Sequence, residues 1–379
     1  MKKQIHSLLF LSLVLISCDF NQPSDSARME KIGEGADEIQ VVVVEGTPYE
    51  MGYQLGKALG PSIEKCMNGY LDFAYQHPEL FTDEILDNTW STLEPYIDAR
   101  IKEEMQGLAK GSGVSLAMLQ RAHAIPAIAD YACSGVAVWG KASEDGHLYQ
   151  IRNLDFVKQA HLQDFPVIVV YKPKKGHAHT MATFAGYIGA HSGMNASGIV
   201  LGEKGESPNS EAPFNLDGVH FSFLFRQMLY DATTLSDAVT TIEDAQLIKR
   251  YFFYVGDGKP ETMGAVKFYV STPDSVKLHK WTDKAENDQS VPGVVSDCIY
   301  YTMDNELAHN DLNMNRGSYN AEKMIALSKA LADDGGNLLN IVYDGTALRM
   351  WVAYAENEAD ASTQTYVPFS LSKYLTDAH

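Results

Sequence analysis

Apolar and polar positions along the chain separate a helical first third from a region of many short strands. Ile39–Gly46 (IQVVVVEG) is a β-branched run and predicts a strand. Thr47 then stands where a helix N-cap belongs, Pro48 suits the first helical position, and Glu50 completes a capping box. The helix predicted from there carries Gly52, Gly56 and Gly60 on one face. Glycine weakens a helix interior, so this face predicts close approach of a neighbouring backbone. Helical patterns recur over about 82–110 and 115–131. At Cys133 the period changes. Residues 134–140 and 147–156 read as strands joined by the Asp145-Gly146 turn. Further strand-like runs cover 165–173, 179–186 and 187–202, and a helical pair covers about 221–245. Strands near 265–270 and 277–281, a helix over 321–332 and a closing hairpin over 338–355 complete the pattern. Such an order predicts an α+β fold with sheets packed between helices.

The first residues stand apart from that fold. Lys2 and Lys3 precede an apolar core, Ser7–Ser17, of signal-peptide length and too short to span a bilayer comfortably. Leu15–Cys18 (LISC) resembles a bacterial lipobox, which predicts a signal peptide over 1–17 and lipidation at Cys18. Ordinary secretory cleavage near Ser17 is the alternative. Residues 18–38 are polar with Pro and Gly, and predict a flexible tether. The expectation is therefore an exported protein, anchored to a bacterial membrane through lipid, in the periplasm or at the cell surface.

With 379 residues, 45% apolar and 21% charged, the chain has the composition of one large globular domain or two ordinary ones. Its net charge of −19 argues against a nucleic-acid partner, because phosphate binding needs a basic surface. Setting Cys18 aside leaves Cys66, Cys133 and Cys298, an odd number, so at least one thiol stays unpaired within the chain. Whether Cys66 and Cys298 pair is open at this level. An exported free thiol is prone to oxidation, which gives Cys133 either a chemical reason or the bland role of a small buried hydrophobe.

A thiol becomes a good nucleophile as thiolate, near a base or a positive charge. Papain-like enzymes supply a histidine and place the cysteine at a helix start, whereas Cys133 precedes a strand. Cutting the chain after Ala132 would instead give Cys133 its own α-amine, whose pKa of about 8 suits a general base. The histidines offer less. His177 and His179 would share a strand face with His191 nearby, but zinc needs three or four ligands and no acidic residue accompanies them. His123 reads as structural. The aromatics near Tyr300 and over 251–256 read as core, with a substrate pocket left open.

Residues 133–156 (CSGVAVWGKASEDGHLYQIRNLDF) resemble the start of the catalytic subunit in N-terminal nucleophile cysteine hydrolases. This group includes choloylglycine hydrolases, penicillin V acylases, acid ceramidase and the autoproteolytic isopenicillin N acyltransferases. The carriers are Cys133, Ser134, Arg152, Asn153 and Asp155. Residues 46–60 resemble the acyltransferase opening, 186–205 the Gly-Met-Asn-x-x-Gly strand-turn-strand, and 338–355 the closing hairpin.

The resemblance implies a four-layer αββα sandwich. A mainly helical pro-segment (39–132) would remain bound to a catalytic segment (133–379) after self-cleavage at Ala132–Cys133. It implies Cys133 as nucleophile, Arg152 holding the thiolate and substrate, and Asp155 orienting the new α-amine. Asn195 would be an oxyanion donor, with Asn305 and Arg316 as the later polar pair and Asp297 as the alternative to Asn305. The substrate implied is a small N-acyl compound with a linear amide, and no metal or organic cofactor is required. Two other readings compete: an unprocessed Cys–His hydrolase, and a non-enzymatic surface lipoprotein that binds an acylated ligand.

Overall fold

The computed structural model describes residues 27–129, 132–205, 216–248, 251–272, 275–281, 284 and 291–376. The predicted signal segment 1–17 and the lipidation site Cys18 lie outside the described residues. Part of the predicted tether does not: Arg28–Ile32 forms β1, an antiparallel edge strand on β2 (Ile39–Gly46). Its charged, half-exposed residues suit an edge position, so the polar composition that suggested a tether belongs to an edge strand with one solvated face.

Helix α1 (Pro48–Ala74) starts at Thr47 with the capping box in place: Thr47 Oγ1 accepts from Glu50 N–H, and Glu50 Oε2 accepts from Thr47 N–H at 2.7 Å. The expected single helix over 82–110 is two helices, α2 (Asp83–Leu93) and α3 (Ala99–Ser112), broken at the Glu94-Pro95 turn. Helix α4 (Leu116–Ile128) follows. The glycine face of α1 meets a second one on α3. A Cβ on Gly56 would lie 2.5 Å from the Leu108 carbonyl oxygen, and one on Gly52 or Gly107 would overlap the carbonyl of Glu104 or Tyr49. Only hydrogen fits at these crossings.

Two sheets face each other. The nine-stranded sheet runs β1-β2-β5-β6-β7-β8-β9-β10-β11, with β5 (Pro166–Pro173), β6 (His179–Phe184), β7 (Ser192–Asn195), β8 (Ile199–Gly205), β9 (Tyr251–Asp257), β10 (Gly264–Thr272) and β11 (Ser275–Trp281). The six-stranded sheet runs β12-β3-β4-β13-β14-β15, with β3 (Ala132–Val138), β4 (Tyr149–Asp155), β12 (Cys298–Tyr301), β13 (Asn337–Asp344), β14 (Arg349–Tyr354) and β15 (Val367–Ser370). Helices α1–α4, α5 (Phe221–Asp231) and α6 (Leu235–Glu243) cover the first sheet. Helices α7 (Asn305–Asn315) and α8 (Ala321–Ala330) cover the second. The architecture is an α+β, four-layer αββα sandwich.

Strand β2 pairs in parallel with β5, so the chain before Cys133 supplies an interior strand of the sheet. The chain on both sides of residue 133 therefore shares one core.

Candidate active site

Cys133 is the second residue of β3 and is fully buried. In the antiparallel register with β4, it lies opposite Leu154, Gly135 opposite Arg152, and Ala132 opposite Asp155. Strand alternation puts Cys133 and Arg152 on the face toward the large sheet. Arg152 Nη2 donates to Cys133 Sγ at 3.3 Å. Gly202 on β8 faces this side chain, where a Cβ would sit 3.4 Å from Arg152 Cγ, an ordinary packing contact. Beyond the end of β7, Arg152 Nη2 meets Glu203 Oε2 at 3.7 Å, both side chains fully buried. The Gly205 N–H also points at the sulfur.

Burial pushes the Cys133 thiol up to about 12; Arg152 and the Gly205 N–H pull it down, while Glu203 and Asp155 push it further up. Desolvation wins, so in the uncut chain Cys133 is a thiol at neutral pH, not a thiolate. Asp155 is likewise pushed up to about 6 by burial, against hydrogen bonds from Asn337 and the Asp333 N–H. On the opposite face of β3, Ser134 Oγ donates to Leu331 O, and Asn153 locks to Ser328 of α8 through both amide atoms. These two side chains anchor the strands to the helix layer.

Of the other expected site residues, Asn305 comes near. The turn after β12 reaches Ser134, whose Oγ accepts from Met303 N–H, and Asn305 Oδ1 accepts from Thr302 N–H at 2.8 Å. Asn195 and Arg316 do not come near. Asn195 Nδ2 donates to Leu229 O and Ala232 O, and its Oδ1 accepts from Ser197 and Ile199 N–H. It locks the β7–β8 turn to α5, about 20 Å along β8 from Gly205, and has no hydrogen left for an oxyanion. Arg316 Nη2 pairs with Asp297 Oδ2 at 2.7 Å. Because β12 runs antiparallel to β3 with Cys298 opposite Val138, that pair lies about 17 Å from Cys133, at the far end of β3.

Glu203 is a residue that sequence reasoning missed. Its signal was a carboxylate following directly on the apolar run Ile199–Leu201 and Gly202. Cys66 and Cys298 are not joined in a disulfide, and both are buried. His123 is structural: Nδ1–H donates to Leu119 O at 2.7 Å, Nε2 accepts from Ile188 N–H, and the ring stacks on Tyr187. His179 Nδ1 bonds the His177 carbonyl, and the ring stacks on Tyr171. The aromatics pack as core: Phe252 stacks on Tyr301, and the Tyr254 ring fills the space above Gly135.

A small apolar cavity adjoins the site. Leu154, opposite Cys133, lines it together with Phe156, Phe184 and His191 from after residue 133, and Tyr70 and Pro126 from before it. A cleft of about 310 Å³ with Asp37, Glu38, Asp164 and Glu356 on its walls does not include Cys133.

The fold is a four-layer αββα sandwich, with Cys133 near the start of a strand of its smaller sheet. Residues 142–282 match the model of the acyl-coenzyme A:6-aminopenicillanic acid acyl-transferase family, so the resemblance holds over a segment that includes Arg152, Asp155 and Glu203. Cys133 lies just before it. The chain is also similar to protein dcd1A of Dictyostelium discoideum, 26% identical over 275 residues, covering 64% of this chain and 61% of that protein. Protein dcd1B of the same organism is 25% identical, covering 62% of this chain and 52% of that protein. The chain thus spans little more than half the length of these curated relatives. Among solved structures, it shares 15% identity and a TM-score of 0.42 with a Caenorhabditis elegans N-acylethanolamine-hydrolyzing acid amidase ortholog, over 63% of this chain and 99% of that one.

Proposed function

We propose that this protein is a self-processing cysteine amidohydrolase or acyltransferase acting on linear amides with an apolar acyl group. The observation that carries the reading is Cys133 Sγ held by Arg152 beside an apolar cavity, with the Ala132–Cys133 peptide alongside the Asp155 carboxyl. In the first step Sγ attacks the Ala132 carbonyl. The C–N bond breaks, and the nitrogen leaves as the α-amine of Cys133. Water then hydrolyses the resulting thioester, giving an Ala132 carboxylate and a free thiol.

The α-amine takes the thiol proton as the sulfur attacks the substrate carbonyl, and gives it to the departing amine. Water or a second amine then releases the acyl group. Arg152 supports the charged states: its Nε and Nη1 have no hydrogen-bond partner among the described residues and can donate to developing negative charge. Tyr70 and Pro126 of the N-terminal segment stand in the wall of the small cavity beside Leu154.

The test is intact mass of the purified protein beside Cys133→Ala. Two associated fragments, the larger beginning at Cys133 and absent from the variant, are expected, followed by acyl release from a panel of linear amides. A single uncut chain in both proteins refutes the α-amine as base. Anchoring through a lipidated Cys18 is part of the same proposal, and release of Cys18→Ala from the membrane fraction is its check.

A further inference from the structure

Asp155 bears on the cut and on amide cleavage only if one of its oxygens is free to face the backbone nitrogen of Cys133. Its Oδ1 is occupied: Asn337 Nδ2, at the start of β13, donates to it at 2.8 Å, and the Asp333 N–H at 3.3 Å. Its Oδ2 is buried with no hydrogen-bond partner among the described residues, and Asp155 is 3% exposed. The residue across the ladder from Asp155 is Ala132, whose carbonyl is the one to be cut.

The Asn337 amide cannot turn over. Its Oδ1 accepts from Asn340 Nδ2 at 2.8 Å and from Ser362 N–H at 2.8 Å. Its second Nδ2 hydrogen goes to Asn340 Oδ1 at 2.7 Å. Two donors thus fix the oxygen side, and the nitrogen side must face Asp155. The clamp extends outward. Asp360 Oδ1 accepts from the Asn337 N–H and from Lys158 Nζ, and its Oδ2 accepts from the Gly335 N–H. Every hydrogen-bonding position of the Asn337 side chain is therefore in use, and only Asp155 among its partners adjoins the chemistry.

We infer that Asn337 is a positioning residue of the proposed reaction, holding Asp155 Oδ1 so that Oδ2 remains ionised and faces the Cys133 α-nitrogen. The inference rests on the proposed self-cleavage. Asn337 makes no contact with Cys133 itself in the hydrogen-bond pattern and acts through Asp155. The charged and titratable groups around Asp155 are Arg152 on its own strand, Cys133 on β3, Asp333 before β13, and Tyr366. Asn337, the Asp333 N–H and Arg152 favour the carboxylate, whereas burial and the Asp333 charge oppose it.

The variant is Asn337→Asp in the full-length chain, which keeps the shape but replaces the donor by an acceptor. The rate of fragment formation is followed from pH 5 to 9 for wild type and variant, with thermal unfolding alongside. The expected result is a cut slowed at least about tenfold at pH 7, with the acid limb moved to higher pH by about one unit. A variant that cuts with the wild-type pH profile, at whatever stability, overturns the inference while leaving the cysteine mechanism standing. A wild type that never cuts overturns both. Should Asn337→Asp fail to fold, Asn340→Ala, which removes one of the two donors on the amide oxygen and the acceptor of its second Nδ2 hydrogen, is read in the same assay. It is expected to move the acid limb in the same direction, and an unmoved limb refutes the inference.

Discussion

Glu104 and Arg226 form a fully buried ion pair between α3, before residue 133, and α5, after it. Arg226 Nη2 meets Glu104 Oε2 at 2.6 Å, and Nη1 meets Oε1 at 3.1 Å. Nη1 also donates to Ile188 O at 2.7 Å, and the guanidinium lies 4.2 Å from the centre of the Tyr171 ring. Glu104→Ala removes the carboxylate bonded to this cation and leaves the Ile188 carbonyl, the Tyr230 hydroxyl and the aromatic faces. An uncompensated buried charge costs about 3–5 kcal/mol. Replacing both partners by Leu and Met removes the charge altogether and sacrifices mainly the Ile188 bond, worth about 1 kcal/mol.

The reasoning therefore predicts a double variant more stable than the Glu104→Ala single by about 2 kcal/mol or more. Urea unfolding in a Cys133→Ala background measures both on one covalent chain. A single variant costing under about 1 kcal/mol, or a double as unstable as the single, refutes the assignment of a buried charge pair. The same pair would join the two fragments after a cut. Processed Glu104→Ala is accordingly expected to lose its small fragment at a urea concentration that wild type withstands.

Gly107→Val places a Cβ on the Tyr49 carbonyl at the α1–α3 crossing, and should cost at least about 1–3 kcal/mol, read as a lowered Tm. His123 is held down to about 4 by burial, so its neutral ring stabilises the fold above pH 6.5 and that contribution is lost as pH falls through 6.5 toward 4. Denaturation midpoints of His123→Gln should lack this acid-side slope, and an unchanged slope refutes the assignment. Asp155, pushed up to about 6 by burial, has the opposite sign: its contribution is full below about pH 4 and is lost as pH rises through 6. In the uncut Cys133→Ala background, Asp155→Asn should therefore be more stable than its parent at pH 8 and close to it at pH 4; equal midpoints at pH 8 would contradict the buried carboxylate.

The elements that were legible in the sequence are those set by neighbours in the chain. Thr47, Pro48 and Glu50 mark a helix start because a capping box closes within four residues. Gly52 and Gly56 announced a close crossing because glycine in a helix interior has a cost that needs a reason. Cys133, Arg152 and Asp155 converge because one hairpin of consecutive strands brings β3 and β4 into register, and a hairpin is a local structure. The break between α2 and α3 at Glu94-Pro95 was local too, but the helical period on both sides outweighed the single proline.

What was hidden depends on pairings between distant strands. Asn195 sits in a strand-turn-strand whose existence the sequence displays, but nothing in its residues says which end of β8 passes Cys133. The end that does carries Glu203 and Gly205; Asn195 belongs to the other end. Arg316 and Asp297 likewise fall on the wrong side of a pairing, β12 with β3, that joins residues more than 150 positions apart. The surviving signal for such sites is a polar residue where burial makes it expensive. Glu203, Asn337 and Asn340 all stand in strands rich in apolar residues, and each is buried and engaged by a partner. A buried polar side chain must repay its desolvation through a hydrogen bond or a charge, so its position in the sequence marks a contact to be found even when the partner strand is unknown.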